Sequence, residues 1–107
     1  MSAKLAILLP RAEADIDEAA AYYALEGGQS LESRFLDAFE TAVAHIVAHP
    51  ASGSPRYGVE LKLEQLRSWP LRQFPFLIFY LEHSDCIDVW RVLHANRDIA
   101  AWLVAAE

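Results

Sequence analysis

The chain changes its hydrophobic period about halfway along. Ala12, Ile16, Ala20 and Tyr23 recur at helical spacing, and Ala19 and Tyr22 widen the same stripe. Pro10 suits the first helical turn, where its missing N–H leaves nothing unsatisfied, and Glu13, Asp15 and Asp17 complement the positive end of the helix dipole. Gly27-Gly28 stops this first helix, because glycine accepts the left-handed conformation of a C-terminal cap. Phe35, Phe39, Ala42 and Ile46, widened by Leu36, Val43 and Val47, predict a second and longer helix from an N-cap at Ser30 to about Ala48. The short glycine connection predicts that the two helices form an antiparallel hairpin. Ahead of them, the apolar stretch Lys4 to Leu9 predicts an initial strand that ends at Pro10. Behind them, Pro50, Gly53 and Pro55 punctuate a predicted loop from His49 to Gly58.

Beyond that loop the apolar runs shorten and become rich in aromatic and branched residues. Leu66 to Leu71, Phe76 to Leu81 and Cys86 to Leu93 read as strands, with the polar turn Glu82 to Asp85 joining the last two as a hairpin. Phe76 to Tyr80 is apolar at every position instead of alternating, so both faces of that strand need cover. The helical hairpin supplies one cover. A tail, a subunit or a protein partner must cover part of the other, and Ile99 to Ala106, with Asp98 as its cap, predicts a short C-terminal helix able to dock there. The expected architecture is therefore α+β: an N-terminal strand, a two-helix hairpin packed on an antiparallel sheet of four strands, and a short C-terminal helix.

Composition fits that picture. The chain has 107 residues, 54% of them hydrophobic and 22% charged, which suits one globular domain over 1–107. The single Cys86 excludes an intramolecular disulfide framework. No apolar run nears the roughly 20 residues of a membrane helix, and residues 1–9 lack a signal-peptide pattern, so a cytoplasmic protein is expected. Nine basic and fifteen acidic residues give a formal charge of −6, which argues against sequence-blind nucleic-acid binding. Most of the positive charge lies late, at Arg56, Lys62, Arg67, Arg72, Arg91 and Arg97.

Ready-made chemistry is sparse. The glycines are scattered and make no phosphate-binding loop, and no cofactor is expected. His45 and His49 lie one helical turn apart but lack a third ligand, so they read as solvated helix histidines and no metal is expected. Cys86 reads as a small core residue, and the helix carboxylates as solvated faces. One constellation stands apart: Arg91, His94, Arg97 and Asp98 where the last strand leaves the sheet. Two readings are open. Arg91 braces a helix carboxylate while Arg97 and Asp98 form an ion pair at the helix start, or the group forms a contact surface. Strict alternation puts Arg91 and His94 on opposite faces unless the chain bends.

Several pieces of the sequence together resemble a ParE-type toxin of the RelE/ParE superfamily, from type II toxin–antitoxin systems. They are the run Leu9 to Asp17 with Tyr22-Tyr23, Arg34-Phe35, His49-Pro50, Gly53, Pro55-Arg56, Leu66 to Ser68, Phe74 to Tyr80, Arg91 to His94, and Arg97 to Ile99. They stand in family order over nearly the whole chain. The resemblance implies a compact toxin held inactive by a ParD-like antitoxin of the ribbon-helix-helix type, with operator DNA bound only through that antitoxin. It implies DNA gyrase, through its A subunit, as the target, trapped on cleaved DNA without chemistry by the toxin, and a role in plasmid stabilisation and growth arrest. The alternative within the superfamily is a RelE-like endoribonuclease that cuts mRNA on the ribosome. Ribonuclease members use a cluster of Lys, Arg and Tyr or His, whereas this chain has only Lys4 and Lys62 as lysines. No catalytic residue is therefore expected, and the ribonuclease alternative rests on a reduced cluster of Arg67, Arg91 and His94. The target surface is expected at Arg91, His94 and Arg97, extended by Arg67 and Trp69 on a neighbouring strand. The antitoxin groove is expected at Tyr22, Phe35 and Phe39.

Overall fold

The computed structural model describes residues 4–104. In chain order it runs β1 (Leu5–Leu8), α1 (Pro10–Ala48), a 3₁₀ turn (Pro50–Ser52), α2 (Arg56–Leu61), β2 (Leu66–Pro70), β3 (Phe76–Glu82), β4 (Cys86–His94) and α3 (Ile99–Val104). The expected end of the last helix at Ala106 lies outside the described residues.

Pro10 opens α1 as the sequence predicts. The helical stretch then continues to Ala48 with a break of non-helical dihedrals at Gly27 (φ −141°, ψ 15°) and Gly28 (φ 71°, ψ −167°). Gly28 sits in a left-handed, extended combination that a side chain resists, so the break is tied to glycine at that position. A straight helix of this length would span roughly 58 Å. The longest dimension of the chain is 38 Å, so the helix bends at the glycines. Ser30 is not an N-cap as expected; it is already helical, and the last non-helical residue is Gly28. Both arms feed one core. Ala12, Ile16, Ala19 and Ala20 of the first arm and Phe35, Phe39, Ala42 and Ile46 of the second pack with Ile78, Tyr80, Ile87, Val89 and Val92 of the sheet. Tyr23 and Phe35 meet across the break with ring centroids 5.2 Å apart.

The sheet order is β1-β4-β3-β2. The sheet is mixed, where a purely antiparallel one was expected: β1 lies parallel to β4, from Leu5 opposite Cys86 to Leu8 opposite Val89. A long crossover joins these strands, so no tight turn constrains their relative sense. The antiparallel ladder of β3 and β4 is irregular, with Phe79 opposite Arg91 and Tyr80 opposite Val89, which leaves Trp90 as an extra residue in β4.

The second face of the sheet is covered by the chain itself. Leu66, Phe79 and Leu93 pack with Ile99 and Leu103 of α3, and Tyr57 and Leu61 of α2 border the cluster. Asp98 caps α3, its Oδ1 accepting a bond from the Ala101 N–H at 3.3 Å. The sequence reading missed α2 within its predicted loop, because Pro55 and Gly58 read as breakers. Gly58 lies inside α2 and is buried there; a Cβ at this position would stand 2.6 Å from the Leu66 carbonyl oxygen. Its absence lets the helix approach β2.

The Tyr80 hydroxyl ties the 3₁₀ turn to the sheet. It donates to the Pro50 carbonyl at 2.7 Å and accepts from the Gly53 N–H at 3.1 Å. Burial raises its pKa above the ordinary 10.0, outweighing the lowering by the Gly53 N–H and Arg67. The native state therefore holds this proton more tightly than the unfolded chain, and stability is present below pH 10 and declines as pH rises beyond it. Tyr80→Phe strands both backbone groups and is expected to cost about 1–3 kcal/mol at neutral pH in urea denaturation. The same variant should show a shallower alkaline decline than the parent. Some slope will persist, because burial also raises Tyr23.

Candidate functional site

β4 runs past the end of its parallel partner. The last backbone bond from that side is the Leu9 N–H to the Val89 carbonyl at 3.0 Å. Beyond it, a side chain of α1 takes over the role of a strand. Asp15 Oδ2 accepts the Val92 N–H at 3.0 Å and Arg91 Nε at 2.7 Å, while Oδ1 accepts Arg91 Nη2 at 2.8 Å. Arg91 Nη1 donates to the Trp102 carbonyl at 3.3 Å, which ties α3 to the same pair. Arg91 is only 3% exposed. The Asp15 hydrogen bonds hold its pKa above the ordinary arginine value despite burial, so it remains charged. Of the two open readings, the brace is the one observed for Arg91.

This pair forms the floor of a cleft of about 430 Å³ between the first arm of α1, the ends of β3 and β4, and α3. Tyr22, Phe76, His94 and Trp102 form aromatic walls, with Glu18, Asn96 and Arg97 at the rim. Arg91 and His94 thus share one hollow. The extra residue at Trp90 precedes both and does not bring them to one face; the long Arg91 side chain does so by reaching Asp15 of α1 beyond the end of β1. The His94 Nδ1 accepts the Asn96 N–H at 3.0 Å, which places the proton of the neutral ring on Nε2. Its ring meets Phe76 edge-on at 5.2 Å. The Arg97 guanidinium lies 4.2 Å from the centroid of the Trp102 ring, and its Nη2 is 3.6 Å from Glu18 Oε1. The expected Arg97–Asp98 pair is replaced: Asp98 caps α3, and Arg97 turns to the helix opposite. That pair is solvent-exposed and stabilises by no more than about 1 kcal/mol.

Arg67 and Trp69 do not extend this site. They lie on β2, and β3 separates β2 from β4. Arg67 donates to the Gly53 carbonyl at 2.8 Å and borders a separate polar depression with Lys4 and Glu82. Trp69 stacks on His45 at 4.1 Å, also away from the cleft. Of the expected groove residues, Tyr22 is 56% exposed and joins the cleft, whereas Phe35 and Phe39 are buried in the core and present no surface to a partner. Asp15, Phe76 and Trp102 were missed. An arginine in an apolar strand signals a buried carboxylate, yet eight acidic residues in the first half competed for that role. Trp102 follows from α3 itself: Ile99 and Leu103 turn inward, which leaves Trp102 on the flank.

Other reactive groups are occupied. Lys4 pairs with Glu82 at 2.6 Å, and His83 with Asp88 at 3.0 Å. His45 Nε2 lies 3.0 Å from Ser52 Oγ. Desolvation and the nearby Asp85 and Asp88 carboxylates push the Cys86 thiol above its ordinary pKa, away from the thiolate that nucleophilic chemistry needs. Among the described residues no group of three or more His, Cys, Asp or Glu side chains is placed to hold a metal.

A broken helix lies over a four-stranded mixed sheet, with a small aromatic cleft at the sheet's end. The architecture is similar to that of a solved structure described as "Chromosomal ParDE TA system from P. aeruginosa". The TM-score is 0.72 at 18% identity, over 87% of this chain and 97% of that one. The family model described as "ParE toxin of type II toxin-antitoxin system, parDE" matches residues 6–99, and the chain belongs to this family. No curated protein matches the sequence. Membership makes the chain a toxin of a type II toxin–antitoxin system and implies an antitoxin partner.

Removing one member of a buried ion pair leaves the other charge stranded, whereas replacing both with apolar groups can be nearly neutral. Asp15→Ala is therefore expected to destabilise by about 3–5 kcal/mol. The double variant Asp15→Leu/Arg91→Met should recover much of that loss. Guanidinium denaturation of the single and double variants checks this; equal losses in both would show that the pair's charge is irrelevant.

Proposed function

We propose that this chain acts by binding DNA gyrase through its A subunit and trapping it on cleaved DNA, so that replication stops. In this reading it works in the cytoplasm and is neutralised by a ParD-like antitoxin of the ribbon-helix-helix type. Operator DNA is contacted only through that antitoxin, consistent with a toxin charge of −6. The two arms of α1 fold back as an antiparallel hairpin that stiffens the binding surface.

The observation that carries the proposal is the state of Arg91. Metal-free RNA cleavage needs a group to activate the 2′-OH, cations on the phosphate and a proton donor for the leaving oxygen. Arg91, the natural phosphate-binding cation of the cleft, is buried with its donors directed to Asp15 and Trp102. Lys4 is paired with Glu82, and Lys62 caps α2 beside a different depression. What remains in the cleft is His94 and Arg97 among aromatic rings, a set better suited to gripping a protein surface than to cutting a phosphodiester.

Purified protein added to gyrase supercoiling reactions should inhibit supercoiling and accumulate cleaved DNA, while mRNA on translating ribosomes stays intact. Codon-linked mRNA cleavage with unaffected gyrase would establish the endoribonuclease instead. His94→Gln keeps hydrogen-bonding capacity but removes a titratable group. It should leave most of the gyrase inhibition, whereas a ribonuclease using His94 would lose roughly 10²-fold or more in rate.

A further inference from the structure

A second hollow, of about 500 Å³, opens between the second arm of α1 and the exit of β2. Ala38, Thr41 and His45 form its helical wall, and Trp69, Leu71 and Arg72 the wall opposite. Its lining contains no carboxylate. The other hollows of the surface each hold one or more: Asp15 and Glu18 in the cleft, Glu82 beside Arg67, and Glu64 in the two beside α2. In a chain of net charge −6, that difference marks a place where a negative partner meets no repulsion at contact. Arg72 is exposed and forms no ion pair with any described residue. Arg34, also exposed, lies one turn ahead of Ala38 on the same helical edge. The exposed Asp37 and Glu40 of this arm stay outside the lining. The walls are preset. Trp69 stacks on His45 with ring centroids 4.1 Å apart and an interplanar angle of 18°. Ser52 Oγ donates to the His49 carbonyl at 2.7 Å and so accepts from His45 Nε2–H at 3.0 Å, which fixes the imidazole that holds the indole.

We propose that this hollow is a second docking site for the protein target, and that it takes an acidic segment of that target. Trp69 is the apolar anchor and Arg72 pairs with a carboxylate; tryptophan and arginine are the side chains that most often carry interface energy. The inference rests on the target-binding reading above and deepens it. The hollow and the cleft open at the same end of the sheet: Phe76 stands opposite His94 and Leu77 opposite Pro70, so β3 separates the two and one partner can span both. The segment is held by side chains and not as an added strand. Ser68 spends its outward N–H and carbonyl on Ser54, and Pro70, the next outward position of this edge strand, has no N–H to offer. A DNA duplex would bring a dense row of phosphates against the whole acidic chain, whereas a peptide brings a few carboxylates to the one hollow that lacks them.

The test is kinetic titration of the full chain with the isolated gyrase A subunit, with the DNA-bound enzyme and with the cognate antitoxin, at low and high salt. Thermal unfolding of each variant serves as a folding control. Trp69→Ala should raise Kd for the A subunit about 10- to 100-fold, as loss of a central aromatic contact does. Arg72→Glu should raise it about 10-fold, chiefly through slower association and most strongly at low salt. Arg11→Glu makes the same change in net charge at an exposed position away from the hollow and should leave Kd within about threefold. Should Trp69→Ala unfold, Thr41→Glu decides the matter, since it sets a carboxylate in the hollow from an exposed helical position and should weaken binding about as much as Arg72→Glu. Unchanged affinity in Arg72→Glu and Thr41→Glu, with the parent still binding gyrase, would overturn the hollow as a docking site and leave the target reading intact. Weakened binding of the antitoxin alone would overturn the target as its occupant, and an effect confined to the DNA-bound enzyme would assign Arg72 to a phosphate and overturn the acidic segment. Failure of the parent chain to bind gyrase at all would overturn the target reading itself and this site with it.

Discussion

One carboxylate holds three elements of this chain together. Asp15 receives both arms of the Arg91 guanidinium and the Val92 N–H, and Arg91 in turn reaches the carbonyl of Trp102. A strand that outruns its neighbour on one side leaves backbone donors with nowhere to go, and an unsatisfied buried donor costs about 1–3 kcal/mol. Placing a carboxylate at that edge solves the problem but buries a charge, which then demands a cation. Arg91 is that cation, and its planar fork satisfies both oxygens where a lysine could satisfy one. A buried ion pair of this kind contributes less to net stability than its geometry suggests, because desolvation opposes the Coulomb gain. Its greater consequence is positional: it fixes how α1, β4 and α3 meet, and therefore the shape of the cleft.

The cleft exists because the sheet has two apolar faces and only a short chain to cover them. The two arms of α1 bury one face through a cluster that runs from Ala12 to Ile46. The other is left to α2 and α3, six residues each. Helices so short are unstable alone and persist here through tertiary contacts. Ile99 and Leu103 anchor α3 over Phe79 and Leu93, and the space between α3 and the first arm of α1 stays open. The aromatic side chains around that space belong to elements whose positions the Asp15–Arg91 pair sets. The geometry of the cleft and the geometry of folding are therefore the same problem in this part of the molecule.

Periodicity made most of the elements legible. Gly27-Gly28 marked the break in α1, and the consecutive apolar residues of Phe76 to Tyr80 announced a strand covered on both sides, because each signal is local. What failed was non-local. Nothing in Lys4 to Leu9 says whether the strand runs parallel or antiparallel to one eighty residues later. Gly58 read as a breaker because its reason for being glycine is the Leu66 carbonyl across the gap, not its own backbone. The candidate site was half legible for the same reason. Arg91, His94 and Arg97 are close in sequence and proved close in space, and Tyr22 joined them. Arg67 and Trp69 were assigned by strand adjacency that the sheet order does not support. Phe35 and Phe39 sit on the helical stripe that also builds the core, and spacing alone cannot separate a groove from an interior.

In the function proposed here, the distribution of charge favours binding over chemistry. A small acidic protein that cut RNA would need its few cations free at one point, where they could meet a phosphate as charge develops on it. Here the cations near the cleft have structural partners: Arg91 has Asp15, and Arg97 lies over Trp102 and near Glu18. The two differ in how firmly they are held. Arg91 is buried and fixed, while Arg97 and Glu18 remain in contact with solvent, so their pairing can be exchanged at little cost. A surface whose floor is rigid and whose rim charges are exchangeable favours a macromolecular partner that brings its own complementary charges. The rigid floor limits the entropy lost on association, and the rim selects which partner stays.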